Sequence, residues 1–327
     1  MSYQVRPGRP SDIDDIITIC RRRPAHQVVF HGVPAEERIE HRIESYREST
    51  ATIGSEPKIP VFVAERHGRA AGYMALVLGT WESITNEKQA VVYDFGLPVD
   101  DAAGCFAALM AAATAAAREA GEQYMIVNLP EIPAEEQLFS DRGFVVDMVR
   151  IGKRVTPVPP PGMNATGFRV RPGGPNDKLF VLNLNTMAAP FTIPPYRDRD
   201  ELAIGQMYWE AYAELDLSPD NPLLRLFVVE DVATGAPVGQ IMIKLGIRDL
   251  DQIPVGYIYD IAVHPDHMGH HLALNLVHEA ELFLHRGGIH WLTGDISAAN
   301  PRPLTLSLKY LGFSIQYRRW ARAVPGG

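Results

Sequence analysis

The sequence predicts two copies of one mixed α/β (α+β) fold, each built around a single mixed sheet with helices packed on it. Three observations support this: a long internal repeat, alternating strand-like and helix-like segments, and a proline-rich connector. With 327 residues, the chain is long enough for two domains. Hydrophobic residues make up 46% and charged residues 21%, which excludes the collagen-like, disordered and coiled-coil classes.

The repeat joins four segments of the first half to four segments of the second half, in the same order and at offsets of 165 to 169 residues. The matched pairs are Tyr3–Asp12 with Phe168–Asp177, Val61–Glu65 with Leu226–Glu230, Tyr93-Asp94 with Tyr259-Asp260, and Arg142-Gly143-Phe144 with Leu311-Gly312-Phe313. A period of this length indicates a duplicated domain and not a solenoid of short repeats.

The proline-rich connector is Thr156–Asn164. Prolines fix φ and remove backbone donors, so the segment favours an extended link between domains. We therefore expect an N-terminal domain over residues 1–155, a linker over 156–166 and a C-terminal domain over 167–327.

The second copy opens with a β-type run, Phe168–Arg171, and a Pro-Asn-Asp segment that is typical of a helix cap precedes a helix around Phe180–Asn185. The prolines that follow interrupt any helix, and a helical pattern rich in aromatic residues resumes over Glu201–Leu215. Two β-type runs, Leu226–Glu230 and Val238–Lys244, flank a glycine-containing turn and predict a hairpin.

The rest of the second copy continues this alternation. Gly256–Val263 is a strong strand pattern, and Gly269–Leu284 carries an apolar stripe at helical spacing. Ile289–Gly294 predicts a strand, Leu304–Tyr310 a helix and Phe313–Trp320 a last strand.

The first copy follows the same order where the repeat can be traced. Its hairpin is predicted over Val61–Glu65 and Ala71–Leu78, and the alanine-rich segment Ala107–Ala117 predicts a close-packed helix, the counterpart of Gly269–Leu284.

Charge and cysteine content limit the partners and the compartment. The net charge of −8 provides no global basic field, so we expect no nucleic-acid partner. Two cysteines are too few for a disulfide framework, and neither a secretory leader nor a membrane span is predicted. We expect a cytoplasmic protein, monomeric or homodimeric, with no membrane partner.

The most informative passage connects the strand that ends at Val263 to the helix predicted from Gly269. A helix that begins just after a strand presents free backbone N–H groups and the positive end of its dipole at the end of that strand. This arrangement predicts an anion-binding site.

These residues resemble the GNAT (Gcn5-related N-acetyltransferase) superfamily, in which a Val-x-Pro lead-in precedes an Arg/Gln-x-x-Gly-x-Gly/Ala loop that cradles the pyrophosphate of acetyl-CoA. Met268 stands at the Arg/Gln position and His271 at the central glycine, whereas Ala273 conforms. The resemblance implies an acetyl-CoA or other acyl-CoA co-substrate, held by the following residues: Val263, Met268, Gly269, His270, His271, Leu272 and Ala273.

A second segment of the sequence is similar to another signature of the family. It consists of Asn300, the predicted helix Leu304–Tyr310 and a Gly-Phe pair. In the family, the asparagine contacts the CoA arm and a tyrosine protonates the leaving thiolate. Leu308 stands at the tyrosine position here. Ser307 and Tyr310 are therefore the candidate general acids.

The resemblance extends to the first copy, but its loop differs. Asp101 stands where the family has Arg or Gln, and its charge would repel a pyrophosphate. Tandem chains with one degenerate and one working half are similar to the mycothiol synthase-like acetyltransferases. The N-terminal copy is accordingly expected to be degenerate, and the C-terminal copy to carry the acyl-CoA site.

A GNAT reaction requires a base that accepts a proton from the acceptor amine and donors that stabilise an oxyanion. Backbone groups of the strand ending at Val263 are the candidate donors, and Asp260 is the candidate base. The first copy has an aspartate, Asp94, at the corresponding position although its loop differs, so a structural role for both aspartates stays open.

Three further groups of residues have two interpretations each. The histidines His264, His267, His270 and His271 fit a metal site or the solvated phosphate loop, and we expect no metal. A set of aromatic residues fits either the lining of an acceptor pocket or a hydrophobic core: Phe191, Tyr196 and those of Met207–Tyr212. The arginines Arg318, Arg319 and Arg322 fit either a binding patch for CoA phosphates or RNA, or a charged strand at the surface.

The sequence thus favours an N-acyltransferase that transfers an acetyl or other acyl group from acyl-CoA to an amine of a small molecule, such as a natural product or an antibiotic. Two alternatives stay open: a GNAT-fold transferase that takes its aminoacyl group from tRNA, and a non-catalytic CoA-binding protein.

Overall fold

The computed structural model describes residues 3–24, 36, 39–40, 43–44, 60–82, 87–163, 166–192, 201–248 and 253–326. The chain divides into two compact units. Unit 1 comprises Met1–Asp147 and Tyr317–Gly327, and unit 2 comprises Met148–Gln316.

The first half of the chain forms six strands and three helices within the described residues. They are β1 (Gln4–Pro7), α1 (Ile13–Arg22), β2 (Val61–Arg66), β3 (Arg69–Glu82), β4 (Glu87–Gly96), α2 (Ala102–Glu119), β5 (Tyr124–Leu129), α3 (Pro133–Ser140) and β6 (Val145–Arg154).

The second half repeats this alternation with six strands and four helices among the described residues. They are β7 (Phe168–Pro172), α4 (Lys178–Ala188), α5 (Glu201–Ala213), β8 (Leu224–Asp231), β9 (Pro237–Arg248), β10 (Pro254–Val263), α6 (Leu272–Arg286), β11 (Trp291–Ser297), α7 (Pro301–Tyr310) and β12 (Ser314–Ala323). None of the described helices has both the length and the apolar character that crossing a membrane requires.

Both units contain a mixed sheet of the same topology. The strand order is β1-β2-β3-β4-β5-β12 in unit 1 and β7-β8-β9-β10-β11-β6 in unit 2. Neighbouring strands are antiparallel except for β4–β5 and β10–β11, which are parallel. The predicted mixed α/β class is confirmed. The sheet of each unit is completed by the last strand of the other sequence copy, which the repeat alone did not reveal.

The boundaries of the predicted helix over Gly269–Leu284 differ from those observed. α6 begins three residues later, at Leu272. Gly269 has φ of +91° and His271 has φ of +57°, which are left-handed conformations that a right-handed helix cannot include. The loop before the helix is therefore longer than periodicity suggested.

The core of unit 1 is held by four phenylalanines. Phe139 contacts Phe95, Phe106 and Phe144 edge to face, with ring centroids 4.8 to 5.4 Å apart. They belong to a buried cluster that also contains apolar residues of α2 and the central strands. The alanine-rich segment is confirmed as the close-packed helix α2.

In unit 2, helices contact both faces of the sheet. Phe283 of α6 packs on Phe227 of β8, the register partner of Ile241 in β9. Gln240, the residue before Ile241, donates to Asn185 of α4 over 3.0 Å. Adjacent strand residues point to opposite faces, so α6 lies on one face and α4 on the other.

Three arginines on β12 bind groups of unit 1. Arg318 pairs with Glu131 and Glu136, at 2.6 and 3.1 Å. Arg319 pairs with Glu82 at 2.8 Å and with the fully buried Asp147 at 2.7 Å.

The third arginine, Arg322, donates to the Arg142 carbonyl and the Thr114 hydroxyl. The arginine cluster noted in the sequence is thus engaged in structural contacts, which leaves less support for its role at CoA phosphates or RNA.

We expect a fragment of residues 1–155 not to fold alone, because it lacks the strand that covers the edge of β5. In the full chain, Trp320 and the buried Ala321 pack there, and Arg319 neutralises Asp147. Circular dichroism during urea unfolding should show no cooperative transition for this fragment. A peptide of residues 314–327, added in trans, should restore the transition.

The matched control is the same peptide with Arg319→Met. It should stabilise the fragment by about 3–5 kcal/mol less, since it leaves a buried carboxylate without its cation. Cooperative unfolding of the fragment with an identical midpoint with and without peptide would contradict this interpretation.

Candidate active site

The main feature of unit 2 is the separation of β10 from β11. Their parallel pairing runs from Gly256 to Ile258, whereas β10 continues to Val263. On its other edge β10 stays paired with β9 as far as Val263, with a register shift at Tyr259. An inserted residue of this kind is a β-bulge, which bends and twists its strand. Among the described residues, 259–263 therefore have a strand on one edge only, and backbone groups on the other edge can bind a ligand.

A short loop connects β10 to α6. It contains a 3₁₀ turn, Pro265–His267, and the two residues with positive φ, Gly269 and His271. His271 occupies the N-cap position of α6, and its side chain makes no capping hydrogen bond. In the first helical turn the Leu274 N–H donates to the His271 carbonyl over 3.0 Å, but the His271 side chain satisfies none of the other N–H groups, and the helix dipole adds partial positive charge there. This is the position predicted for the anion site.

The residues predicted to hold the CoA phosphates differ in exposure. Met268, Gly269, His270 and His271 are exposed, Val263 and Ala273 are half-buried, and Leu272 is buried. Leu272 can therefore offer a ligand its backbone only. Nothing lies within 4 Å of a Cβ built on Gly269, so the backbone conformation, not crowding, requires glycine there.

The histidines of the loop contact one another and Phe168. The rings of His267 and His270 lie 5.9 and 5.4 Å from the Phe168 ring, and His264 lies 6.0 Å from His267. In the part of the chain that the structure describes, no group of three His, Cys, Asp or Glu side chains is arranged to hold a metal ion.

Asp260 is the carboxylate at the bulge, and its environment alters its titration. The Gln240 amide donates to its carboxylate over 2.8 Å. The Ile261 backbone N–H and the Tyr212 hydroxyl also interact with it. Burial nevertheless dominates and raises the pKa of Asp260 to about 6. A carboxylate with this pKa is ionised at neutral pH and basic enough to accept a proton.

The corresponding aspartate of unit 1, Asp94, has a different environment. It lies beside a register shift in β4, as Asp260 does in β10, and accepts from the Tyr73 hydroxyl over 2.8 Å. Arg23 forms an ion pair with it and a second one, at 2.7 Å, with Glu135. The buried Asp94 is thus neutralised by an arginine. Asp260 forms no ion pair among the described residues.

Aromatic side chains of α5 lie next to Asp260. The Tyr212 ring stacks on Tyr208 with a 5.7 Å centroid distance, and it lies 5.6 Å from Tyr259 of the bulge. Part of the predicted aromatic set therefore does border the candidate base. Trp209 and Phe191 are exposed, and Tyr196 lies outside the described residues.

The candidate acids lie on α7. Asn300 occupies its N-cap position and makes no capping hydrogen bond there. Ser307 is buried and its carbonyl accepts from the Phe313 N–H, whereas Tyr310 is exposed. Within the described ranges, no hydrogen bond connects Ser307 or Tyr310 to Asp260.

Sequence reasoning missed two residues, Gln240 and Lys244. Both lie in β9 on the same face as Asp260, because Met242 between them is the register partner of Asp260. The Lys244 ammonium lies 3.7 Å from the centroid of the Tyr259 ring. Two polar residues in the otherwise apolar run Val238–Leu245 were the available signal.

Comparisons with known proteins agree with this geometry. The Acetyltransferase (GNAT) family model matches residues 184–313. The structure of a GCN5-related N-acetyltransferase from Sphaerobacter thermophilus is similar with a TM-score of 0.55 at 16% identity, covering 99% of this chain and 96% of that one. A tandem GNAT protein from the clavulanic acid biosynthesis pathway covers 100% of both chains with a TM-score of 0.48 at 14% identity.

A glucosamine N-acetyltransferase region of a fungal multi-domain β-N-acetylglucosaminidase is similar with a TM-score of 0.52 at 11% identity, covering 98% of this chain and 38% of that one. No curated protein matches the sequence.

The family match covers the bulged strand, the loop and α6, which are the elements that build the site, and the structural similarity extends over almost the whole chain. Residues 184–313 therefore match the Acetyltransferase (GNAT) family, and the fold of nearly the whole chain is similar to that of a GCN5-related N-acetyltransferase.

Proposed function

We propose that the protein transfers an acetyl or other acyl group from acyl-CoA to the amine of a small molecule, with the chemistry in unit 2. The observation that carries the proposal is the edge of β10 over residues 259–263, which no described strand pairs with on the side of β11, and the loop that joins it to the N-terminus of α6, where the cap residue makes no side-chain hydrogen bond.

The donor would occupy this edge and loop. Amide groups in the arm of an acyl-CoA can pair with backbone groups of residues 259–263, as an added strand does. Its phosphates would lie at the first turn of α6, where Gly269, His270 and His271 are exposed. Backbone N–H groups of the same edge are the donors available to a thioester oxygen that becomes negatively charged.

Asp260 would act as the base. The amine nitrogen attacks the thioester carbonyl carbon, the carbon–sulfur bond breaks, and the amine proton passes to the Asp260 carboxylate directly or through water. The CoA thiolate leaves and takes a proton from Tyr310, Ser307 or solvent. Because burial raises the pKa of Asp260, the carboxylate is a stronger base than an exposed aspartate.

Unit 1 lacks both requirements, which supports its assignment as the degenerate copy. Asp101 caps α2 by accepting from the Gly104 N–H over 3.1 Å, so a carboxylate of the chain itself occupies the position of an anion. Asp94 is paired with Arg23 and is not available as a base.

His271→Asp is expected to weaken acyl-CoA binding. The substitution places a carboxylate at the N-cap of α6, as Asp101 does in α2, and aspartate tolerates the positive φ. Calorimetry with acetyl-CoA should show at least about tenfold weaker binding, which corresponds to about 1.4 kcal/mol.

His285→Asp, at the exposed opposite end of α6, makes the same charge change and is the control. It should bind acetyl-CoA like the wild type. Equal binding by both variants would remove the loop from the donor site, and no binding of acetyl-CoA to the wild type would refute the proposed function.

Asp260→Asn is expected to reduce turnover by about 10²–10⁴-fold, the usual contribution of a general base. The base must be ionised, so wild-type kcat/KM should rise as the pH increases through about 6 and then level off. The variant should lack this rise. Free-thiol release measured between pH 5 and pH 8 tests both expectations.

The exposed Asp220→Asn variant is the control and should keep the wild-type pH profile. Circular dichroism would verify that both variants fold. An unchanged rate in Asp260→Asn would show that this carboxylate is not the base.

A further inference from the structure

Lys244 is a cation in unit 2 that the proposed reaction does not use. Its side chain is half-buried and its ammonium lies 3.7 Å from the centroid of the Tyr259 ring. Within the described ranges this is its one polar or charged contact: it forms no ion pair there. Burial lowers the pKa of Lys244, since the charged form loses hydration and gains no anion in return.

The carboxylates on this face of the sheet are engaged elsewhere. Asp260 accepts from Gln240. Asp295 forms a bidentate pair with Arg150 at 2.6 and 2.8 Å, and accepts from the Tyr257 hydroxyl over 3.0 Å. Neither forms an ion pair with Lys244, so no carboxylate of the described residues compensates the charge of this ammonium.

Lys244 and Asp260 border one continuous aromatic surface. Asp260 follows Tyr259 in the chain and interacts with the Tyr212 hydroxyl, and the Tyr212 and Tyr259 rings are 5.6 Å apart. Lys244 lies over Tyr259. A molecule that lies along these rings therefore meets a carboxylate at one end and an ammonium at the other.

Resting on the proposed function, we propose that the acceptor is an amine that also carries a carboxylate, and that Lys244 binds this carboxylate while Asp260 receives the amine proton. A carboxylate supplies the charge that Lys244 lacks, in a partly desolvated site where a charge-assisted hydrogen bond is strong. Polyamines and other polycations are disfavoured, because a second positive charge would lie near Lys244.

The test is a free-thiol assay with acetyl-CoA and matched pairs of amines. One pair is 4-(aminomethyl)benzoate and 4-(aminomethyl)benzamide, and the others are the common amino acids with their amides. The acids should react with kcat/KM at least about tenfold above that of their amides, since each retains one charge-assisted contact that its amide lacks.

Lys244→Met should remove this preference by raising KM for the acids, with the Kd for acetyl-CoA unchanged, and Lys244→Arg should restore most of it. Lys88→Met is the matched control: it removes a lysine that lies 5.7 Å from the Trp81 ring in unit 1, and should keep the preference. Equal or faster reaction of the amides, or a preference that survives Lys244→Met, would overturn the proposal.

A second readout applies if none of these amines reacts. The melting temperature of the acetyl-CoA complex is then measured with 4-(aminomethyl)benzoate and with its amide. Stabilisation by the acid only, lost in Lys244→Met, supports the acidic acceptor site, and equal or absent stabilisation by both overturns it. Failure of acetyl-CoA itself to bind would instead refute the proposed function. The melting temperature of the free protein with the acid and with its amide would then still decide whether Lys244 binds a carboxylate.

Discussion

The candidate site depends on one β-bulge in β10. The register shift at Tyr259 interrupts the ladder with β9 and coincides with the point where the pairing with β11 stops. A bulge also places consecutive side chains on the same side of a strand, so that Tyr259 and Asp260 both face α5. The same local irregularity thus produces a free backbone edge for the donor and orients the base. β4 of unit 1 has an equivalent register shift beside Asp94, so the bulge is part of the duplicated fold.

The two copies differ in how they satisfy that aspartate. In unit 1 the Tyr73 hydroxyl and the Arg23 guanidinium hold Asp94 in a buried ion pair. In unit 2, Gln240 stands in the strand position of Tyr73, and Asp260 interacts with the neutral Gln240 amide and the Tyr212 hydroxyl in place of a hydroxyl and a cation. Burial raises the pKa of a carboxylate that has no cation beside it, whereas an ion pair stabilises the ionised form and makes the carboxylate a weaker base. The ion pair with Arg23 therefore distinguishes Asp94, which has a structural role, from Asp260, the candidate base.

Much of the fold could be predicted from the sequence, because the internal repeat, the alternation of strand-like and helix-like segments and the turn residues can all be recognised along the chain. The strand that ends at Val263 and the helix after it followed from periodicity, and their order along the chain was the basis for predicting an anion site between them. Residues that meet only in three dimensions could not be found in this way. Gln240 and Lys244 reach Asp260 and Tyr259 through the register of β9 on β10, and a one-residue slip would turn both to the other face. The exchange of β6 and β12 was equally hidden, since strand periodicity does not specify the neighbouring strand.

The cap residues of α2 and α6 complete the contrast between the copies. Asp101 satisfies an N–H group in the first turn of α2 with its own carboxylate, which stabilises unit 1 without a ligand. His271 gives the first turn of α6 no side-chain cap and holds a left-handed backbone conformation that is less favourable for a residue with a Cβ. Among the described residues of unit 2, Asp260 has no cation and Lys244 has no anion as a partner. Each of these groups would be more stable with an internal partner, so their coincidence on two neighbouring strands and the loop after them is unfavourable for folding stability. An acyl-CoA that brings phosphates and an acceptor that brings a proton to be transferred and a carboxylate would together compensate all three. The same features that make unit 2 less self-sufficient than unit 1 therefore make it the unit suited to bind a donor and an acidic acceptor.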